Sequence, residues 1–354
     1  MTDTLDIKIT KTSKSRLEET DFSHLPFGKV FSDHMFVADY EDGEWKNLQI
    51  VPYDELSFSP AMSVLHYGQA FFEGLKAYKH ADGKATLFRP YKNAERFNKS
   101  AERLCAPELP EDIFVQSIAA LVNLDKDWIP TAEHHSLYIR PFMFSTDPYL
   151  GVQPSKTYKY VVLTGPVGAY FPKPLKVKFE TYYTRAAEGG FGFAKAAGNY
   201  AGSLLPAQEA MKEGFDQLIW TDAKEHAYVE ELGAANVMFV INGKLITPST
   251  RDSILKGVTR DSVLTLARHW GMEVEERRIS VAEVGEALKS GTLSEAFGVG
   301  TAATIAPIAS IGFEGELYHL PNVTKAEFSN RALQALNDIR YGFGPDEFGW
   351  NYTI

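Results

Sequence analysis

The chain has 354 residues, 44% hydrophobic and 13% aromatic, which is ample for packed cores and longer than one core commonly serves, so two domains are expected. Its net charge of −10, from 46 acidic and 36 basic residues, argues against nucleic acid and anionic membrane as partners, though an arginine cluster inside it can still hold a small anion. The single cysteine, Cys105, excludes an internal disulfide and a cysteine zinc site, the nine histidines show no ligand spacing, and no apolar run approaches the ~18 residues of a membrane span, so neither metal nor membrane is expected.

At the N-terminus Asp3, Asp6, Glu18 and Glu19 mix with lysines around no apolar core. That pattern is neither secretory nor transit, and a cytoplasmic location is expected. Residues 33–50 read as two strands about Asp42-Gly43, and 75–78 with 85–88 flank Asp82-Gly83, so two hairpins are predicted. Residues 63–72 read as a short helix or a buried turn. Pro90 suits a first helical position, and Ala94, Phe97, Ala101 and Leu104 recur at three- and four-residue steps, which predicts a helix over 90–104. A second helix fits 112–124; 136–144 and 159–164 read as strands. Residues 165–174 are densest in proline and glycine and mark a domain boundary.

Beyond it, 204–213 predicts a helix ended by Gly214, and 217–221 a strand. Residues 236–241, Asn242-Gly243 and 244–247 form the clearest hairpin. A helix over 259–270 ends at Gly271, and Ser280-Val281-Ala282-Glu283 is a capping box for a helix to Lys289. Strand–turn–strand units mixed with helices imply α+β domains with mostly antiparallel sheets, not a doubly wound parallel sheet.

The chemistry centres on Gly189-Gly190-Phe191-Gly192-Phe193-Ala194-Lys195-Ala196-Ala197-Gly198-Asn199-Tyr200. One lysine lies among small and apolar residues with no carboxylate inside the stretch. An unpaired buried ammonium is costly, and a lysine neutral part of the time is a nucleophile suited to an aldehyde cofactor. A turn lysine among loop glycines is the plain alternative. Pyridoxal phosphate also needs an acid for its ring nitrogen, a donor for its phenolic oxygen and an anion site. Tyr200, five residues after Lys195, could be the donor, or a core tyrosine. Glu230-Glu231 offers the acid, and strand alternation would aim only one of the two inward. Gly257-Val258-Thr259 opens a helix whose N–H groups suit a phosphate. Gly298-Val299-Gly300-Thr301-Ala302-Ala303 is a second donor-rich turn, G-x-G-x-x-A in form, so a dinucleotide-binding module without catalysis is a rival from another class.

These residues together resemble the branched-chain amino acid aminotransferases, pyridoxal phosphate enzymes of fold type IV. The likeness runs from about Phe27 to the C-terminus. It is carried by Asp33-His34-Met35, Leu65-His66-Tyr67, Phe72-Glu73-Gly74-Leu75-Lys76-Ala77, Leu87-Phe88-Arg89-Pro90 with Asn93 and Arg96, Tyr138-Ile139-Arg140-Pro141, Pro166-Val167-Gly168-Ala169-Tyr170-Phe171-Pro172, Lys195 with Gly198-Asn199-Tyr200, and Gly300-Thr301-Ala302. The resemblance implies an α+β fold with a small N-terminal domain over 1–169, a connector over 170–178 and a large domain over 179–354 carrying the lysine. It implies that Lys195 bonds the cofactor and shuttles a proton, that Tyr200 meets the phenolic oxygen, and that Glu231 rather than Glu230 pairs with the ring nitrogen. Arg96, Val258, Thr259 and Thr301 would hold the phosphate. Tyr67, Phe72, Tyr138, Tyr170, Thr301 and Ala302 would shape the substrate pocket, with Arg140 meeting the distal carboxylate of glutamate.

The implied reaction is ping-pong transfer of the amino group of leucine, isoleucine or valine to 2-oxoglutarate, by a homodimer. The active site would lie between domains, with Tyr67 and the Leu150-Gly151-Val152 loop reaching across from a partner subunit. A D-amino acid aminotransferase or an aminodeoxychorismate lyase is the alternative on the same fold. Ala234-Ala235 stand where some relatives carry Thr-Met, which removes a hydroxyl near the substrate carboxylate. Ala303 and Ala306 fall where some relatives carry a redox-active pair of cysteines, so no thiol switch is expected there.

Overall fold

Hairpin chemistry builds most of the first of two units. In the computed structural model of the chain, which describes residues 5–168 and 173–354, it contains strands β1 (Lys8–Ile9), β2 (His34–Glu41), β3 (Glu44–Pro52), β4 (Ala70–Phe72), β5 (Leu75–Lys79), β6 (Ala85–Phe88), β7 (Ser136–Ser145) and β8 (Tyr158–Val167). They run in the order β1-β3-β2-β8-β7-β5-β6, with β4 beside β7, and the strand Asn351–Thr353 from the far end of the chain completes the sheet on β6. All of these pairings are antiparallel except β1 with β3. Asp42 and Gly43 both adopt positive φ, as a two-residue hairpin loop requires.

Helices α1 (Ser63–Tyr67), α2 (Pro90–Arg103) and α3 (Glu111–Leu124) belong to the same unit. Proline opens α2 at its first turn. Ala94, Phe97 and Ala101 of α2 bury in one core with Phe114, Ile118 and Leu121 of α3 and with Phe36, Leu137 and Tyr160 of the sheet. Along β7 burial alternates: Leu137, Ile139 and Met143 enter the core, whereas Tyr138, Arg140 and Phe142 stay half-buried on the other face.

The second unit contains β9 (Leu175–Glu180), α4 (Ala197–Ala201, all but its first residue), α5 (Leu204–Lys212), β10 (Gln217–Thr221), β11 (Val229–Leu232), β12 (Ala235–Ile241), β13 (Lys244–Thr247), α6 (Val258–His269), β14 (Val274–Glu276), α7 (Val281–Ser290), β15 (Leu293–Gly300), β16 (Thr304–Phe313) and β17 (Glu316–His319). Its strand order is β11-β10-β9-β16-β15-β12-β13-β14. Because β11 also pairs with β12, six strands close on themselves around Val177, Ile219, Phe239 and Ile308. Closure leaves those six strands with no open edge. The pairings are antiparallel except β9 with β10 and β16, and β13 with β14.

The division is not a single cut. The first unit comprises Met1–Tyr170, Ala194–Ala197 and Asn337–Ile354, and the second Phe171–Phe193 and Gly198–Leu336. Lys195 therefore lies with the N-terminal residues rather than in a domain over 179–354. The cause is local: its carbonyl accepts the N–H of Phe72 at 3.1 Å, and its own N–H donates to Ser100 Oγ at 2.9 Å. The C-terminal residues join the same unit through the strand on β6, labelled β18 (Asn351–Thr353), which follows helix α8 (Glu327–Tyr341).

Candidate active site

Helix α2 carries two buried stripes side by side. Ala94, Phe97 and Ala101 make the apolar one, while Asn93, Arg96 and Ser100, again three and four residues apart, make a polar one. The polar stripe organises the first unit's share of the site. Glu73, fully buried between β4 and β5, accepts Arg96 Nε at 2.7 Å on one oxygen and Arg96 Nη2 at 2.8 Å on the other. Its second oxygen also takes the Asn93 amide at 2.8 Å and the Gly74 N–H at 3.0 Å. Burial alone would raise this carboxyl. The charge and hydrogen bonds of Arg96 outweigh it, and with help from the Lys195 charge and Asn93 they hold Glu73 below its ordinary value.

Lys195 is half-buried, its Nζ 4.7 Å from the centre of the Phe72 ring. The Arg140 guanidinium lies 4.4 Å from the same ring and donates from Nη2 to the Tyr138 hydroxyl at 3.0 Å. Phe72, Tyr138, Arg140, Lys195 and Arg96 are thus gathered within one unit. Gly74 packs closely here: a Cβ on it would sit 2.5 Å from Tyr138 Oη, so the phenol would have to shift. Tyr67 is exposed at the end of α1 and donates to the Leu150 carbonyl at 2.6 Å. Tyr170 lies outside the described residues.

In the second unit the candidates collect at one end of the barrel. Glu231 on β11 is opposite Asn236 on β12, which is opposite Val299 on β15, two residues before Thr301. One oxygen of Glu231 accepts the Leu255 N–H at 2.7 Å and the Asn236 amide at 3.3 Å; the other lies 3.4 Å from Arg185 Nε. The loop then runs through Gly257, where a Cβ would meet Asn236 Oδ1 at 2.1 Å, into Val258 and the buried Thr259 at the start of α6. Thr301 and Ala302 form the half-buried turn between β15 and β16. Tyr200 is half-buried on α4, its carbonyl accepting both the N–H and the hydroxyl of Ser203.

One expectation fails, and one rival reading is excluded. Glu230 and Glu231 are both buried, because segment 253–255 covers the strand: Ser253 donates its hydroxyl to Glu230, and Leu255 its N–H to Glu231. Alternation on the strand therefore does not send one of them to solvent. The G-x-G-x-x-A run spans a strand and the turn of the antiparallel hairpin β15–β16, not a strand-to-helix turn, and so is no dinucleotide fingerprint. Sequence reasoning assigns no role to Glu73 or Arg185. For Glu73 the signal is present in the polar spacing of Asn93, Arg96 and Ser100; for Arg185 no pattern marks it. Among the described residues no group of His, Cys, Asp or Glu could hold a metal, and no helix is long and apolar enough to cross a membrane.

Residues 70–311 match the model of the family described as Amino-transferase class IV, which places the chain in that class of enzyme. A branched-chain-amino-acid aminotransferase of Bacillus subtilis is 46% identical over 99% of this chain and 97% of its own. Of the solved structures, the branched-chain amino acid aminotransferase of Escherichia coli superposes with a TM-score of 0.73 at 27% identity, over 92% of this chain and 99% of that one. The T.th. enzyme of the same name, complexed with N-(5'-phosphopyridoxyl)-L-glutamate, gives 0.72 at 26% identity, over 89% and 97%. The chain belongs to the branched-chain-amino-acid aminotransferase family, with the fold type IV architecture expected of it.

Proposed function

We propose that this chain transfers the amino group of leucine, isoleucine or valine to 2-oxoglutarate, with pyridoxal 5'-phosphate bound at Lys195. The observation that carries the reading is the placement of the Lys195 amine and the Arg140 guanidinium against the same Phe72 ring, 4.7 and 4.4 Å from its centre. An aromatic wall accepts an aliphatic side chain, and a guanidinium beside it accepts the distal carboxylate of glutamate or 2-oxoglutarate. One pocket can then serve both partners of the exchange.

The residues fit the cofactor. Arg96 would offer a buried guanidinium to the phosphate, and Val258, Thr259 and Thr301 would offer N–H and hydroxyl donors. Gly257 lets the backbone pass close to the Asn236 amide just before α6, where a Cβ would stand 2.1 Å from Oδ1. Glu231 would pair with the ring nitrogen and Tyr200 with the phenolic oxygen. When bound, the cofactor supplies an electron sink for charge developing at the amino-acid Cα. Lys195 would hold the cofactor and then carry the proton at its Nζ, while Phe72 and Tyr138 would border the substrate from the first unit.

The exposed apolar group Leu65, Tyr67, Tyr149, Leu150 and Val152 of the first unit supports a homodimer as the working form. Lys195→Ala should retain cofactor only noncovalently and abolish turnover. The test is an L-leucine and 2-oxoglutarate assay beside borohydride trapping, with D-alanine as the competing donor. Normal turnover by Lys195→Ala would remove the lysine assignment, and preference for D-alanine would move the chain to another substrate class.

A further inference from the structure

We propose that Glu73 is a positioning residue for the cofactor phosphate: it locks the Arg96 guanidinium by its Nε–Nη2 edge and so fixes the orientation of the whole group. The inference rests on the reading that Lys195 and Arg96 hold pyridoxal phosphate, and it adds a residue to which the sequence reading assigns no role.

The geometry is that of a two-point fork. Each carboxylate oxygen of Glu73 takes one guanidinium nitrogen, at 2.7 and 2.8 Å, a pairing that fixes orientation as well as distance. The carboxylate cannot swing away. Asn93 and the Gly74 N–H hold its second oxygen, and the Glu73 N–H donates to the Pro141 carbonyl at 2.7 Å. With its oxygens committed in this way, Glu73 is placed to orient rather than to exchange a proton with substrate.

The same frame reaches Lys195. Ser100, one turn after Arg96, donates its hydroxyl to the Arg96 carbonyl at 3.1 Å and accepts the Lys195 N–H at 2.9 Å. The amine that bonds the aldehyde and the guanidinium that takes the phosphate are therefore both referenced to α2. An unclamped arginine would have to be ordered when the phosphate arrives; one already clamped loses less on binding. A carboxylate beside Arg96 also cancels part of its charge, so its contribution to phosphate is direction more than long-range attraction.

The test compares two aldehydes, pyridoxal phosphate and pyridoxal, which lacks the phosphate. Cofactor-free wild-type protein, Glu73→Gln and Glu73→Asp are incubated with each and reduced with borohydride, and the adduct on Lys195 is quantified by mass. Glutamine offers one acceptor where Arg96 needs two. The affinity of Glu73→Gln for pyridoxal phosphate should fall about 10- to 100-fold, the loss expected for one charged hydrogen bond, while trapping of pyridoxal stays within about twofold. Aspartate keeps the charge and should recover part of the loss. Equal losses for both aldehydes would mean that Glu73 only ties β4 to α2, and unchanged affinity for pyridoxal phosphate would mean that Arg96 needs no clamp; either overturns the proposal. Should Glu73→Gln fail to fold, Arg96→Lys keeps a cation opposite Glu73 without the fork, and must show the same selective loss. Wild-type protein that traps neither aldehyde would instead refute the underlying reading of Lys195.

Discussion

Glu230 and Glu231 are neighbours on one strand with different surroundings. Glu231 accepts two N–H donors and lies beside Arg185. Burial pushes Glu230 up to about 7, against the Ser253 bond and the Arg185 charge, with the charge of Glu231 adding to the rise. A carboxyl with an ordinary value of 4.5 in the unfolded chain and about 7 in the folded one stays protonated longer in the native state. Its favourable contribution is complete below pH 4.5 and disappears as pH rises to 7. Glu230→Gln should therefore flatten the fall in stability across that window, leaving the variant more stable above pH 7 by up to about 2 kcal/mol, allowing for partial screening. Thermal melts of both proteins at pH 5 and pH 8 check this, and parallel profiles would contradict it. Lys76 has the reverse sign. Burial, with help from the Arg340 charge, lowers its ammonium to about 7, so this group's contribution is lost as pH falls from 10.5 toward 7.

At the level of elements, what is legible in the sequence is what local rules determine. The Asp-Gly and Asn-Gly hairpins stand where turn chemistry predicts, and the capping box is formed, with Ser280 Oγ accepting the Glu283 N–H at 3.0 Å. Ser280→Ala should cost about 1 kcal/mol of stability, read as a lower denaturation midpoint with unchanged activity. Strand β9 escapes the sequence reading although Leu175, Val177 and Phe179 alternate, because proline- and glycine-rich residues precede it and its partners β10 and β16 lie far off in sequence. Helix α8 escapes it as well. On α2 the apolar stripe is legible, but the polar stripe beside it acquires meaning only once Glu73 and Lys195 arrive from other elements. Gly74 is of the same kind: its place in a motif is visible in the sequence, whereas its reason is the Tyr138 phenol 2.5 Å from where a Cβ would stand. Gly74→Ala should push that phenol, and the Arg140 guanidinium bonded to it, out of position. The expected result is a KM for amino acid and 2-oxoglutarate raised about tenfold, equivalent to about 1.4 kcal/mol of binding. Cofactor retention should be unchanged, as steady-state kinetics beside cofactor release would report.

Across the whole molecule, length and composition imply two domains but not how the chain shares itself between them. Contacts that join residues 72, 100 and 195, or 88 and 351, leave no periodic trace. The consequence is that the first unit is complete only when the last residues of the chain are in place. Strand β18 covers the edge of β6, and Trp350 packs edge-on against Phe88 at 5.6 Å. The Trp350 carbonyl accepts the Arg89 N–H at 2.8 Å, and its ring lies 5.2 Å from the Arg89 guanidinium. Arg89 has a φ of 52°, a left-handed conformation unusual for a residue with a side chain, and it is the residue from which α2 starts. Removing residues 345–354 should expose the β6 edge and release Arg89 from this constraint. The first turn of α2 would then loosen, and with it the stripe that orients Arg96. A lower melting temperature and faster loss of cofactor should appear together in that truncation. Trp350→Ala, which keeps the strand and the backbone bond but empties the ring's buried place, should cost about 3–5 kcal/mol of stability and affect cofactor retention less than the truncation. Comparing melting temperature with the rate of cofactor release in both variants separates the two effects. A truncated chain that releases cofactor at the wild-type rate would show that Arg96 does not depend on how the C-terminus anchors α2.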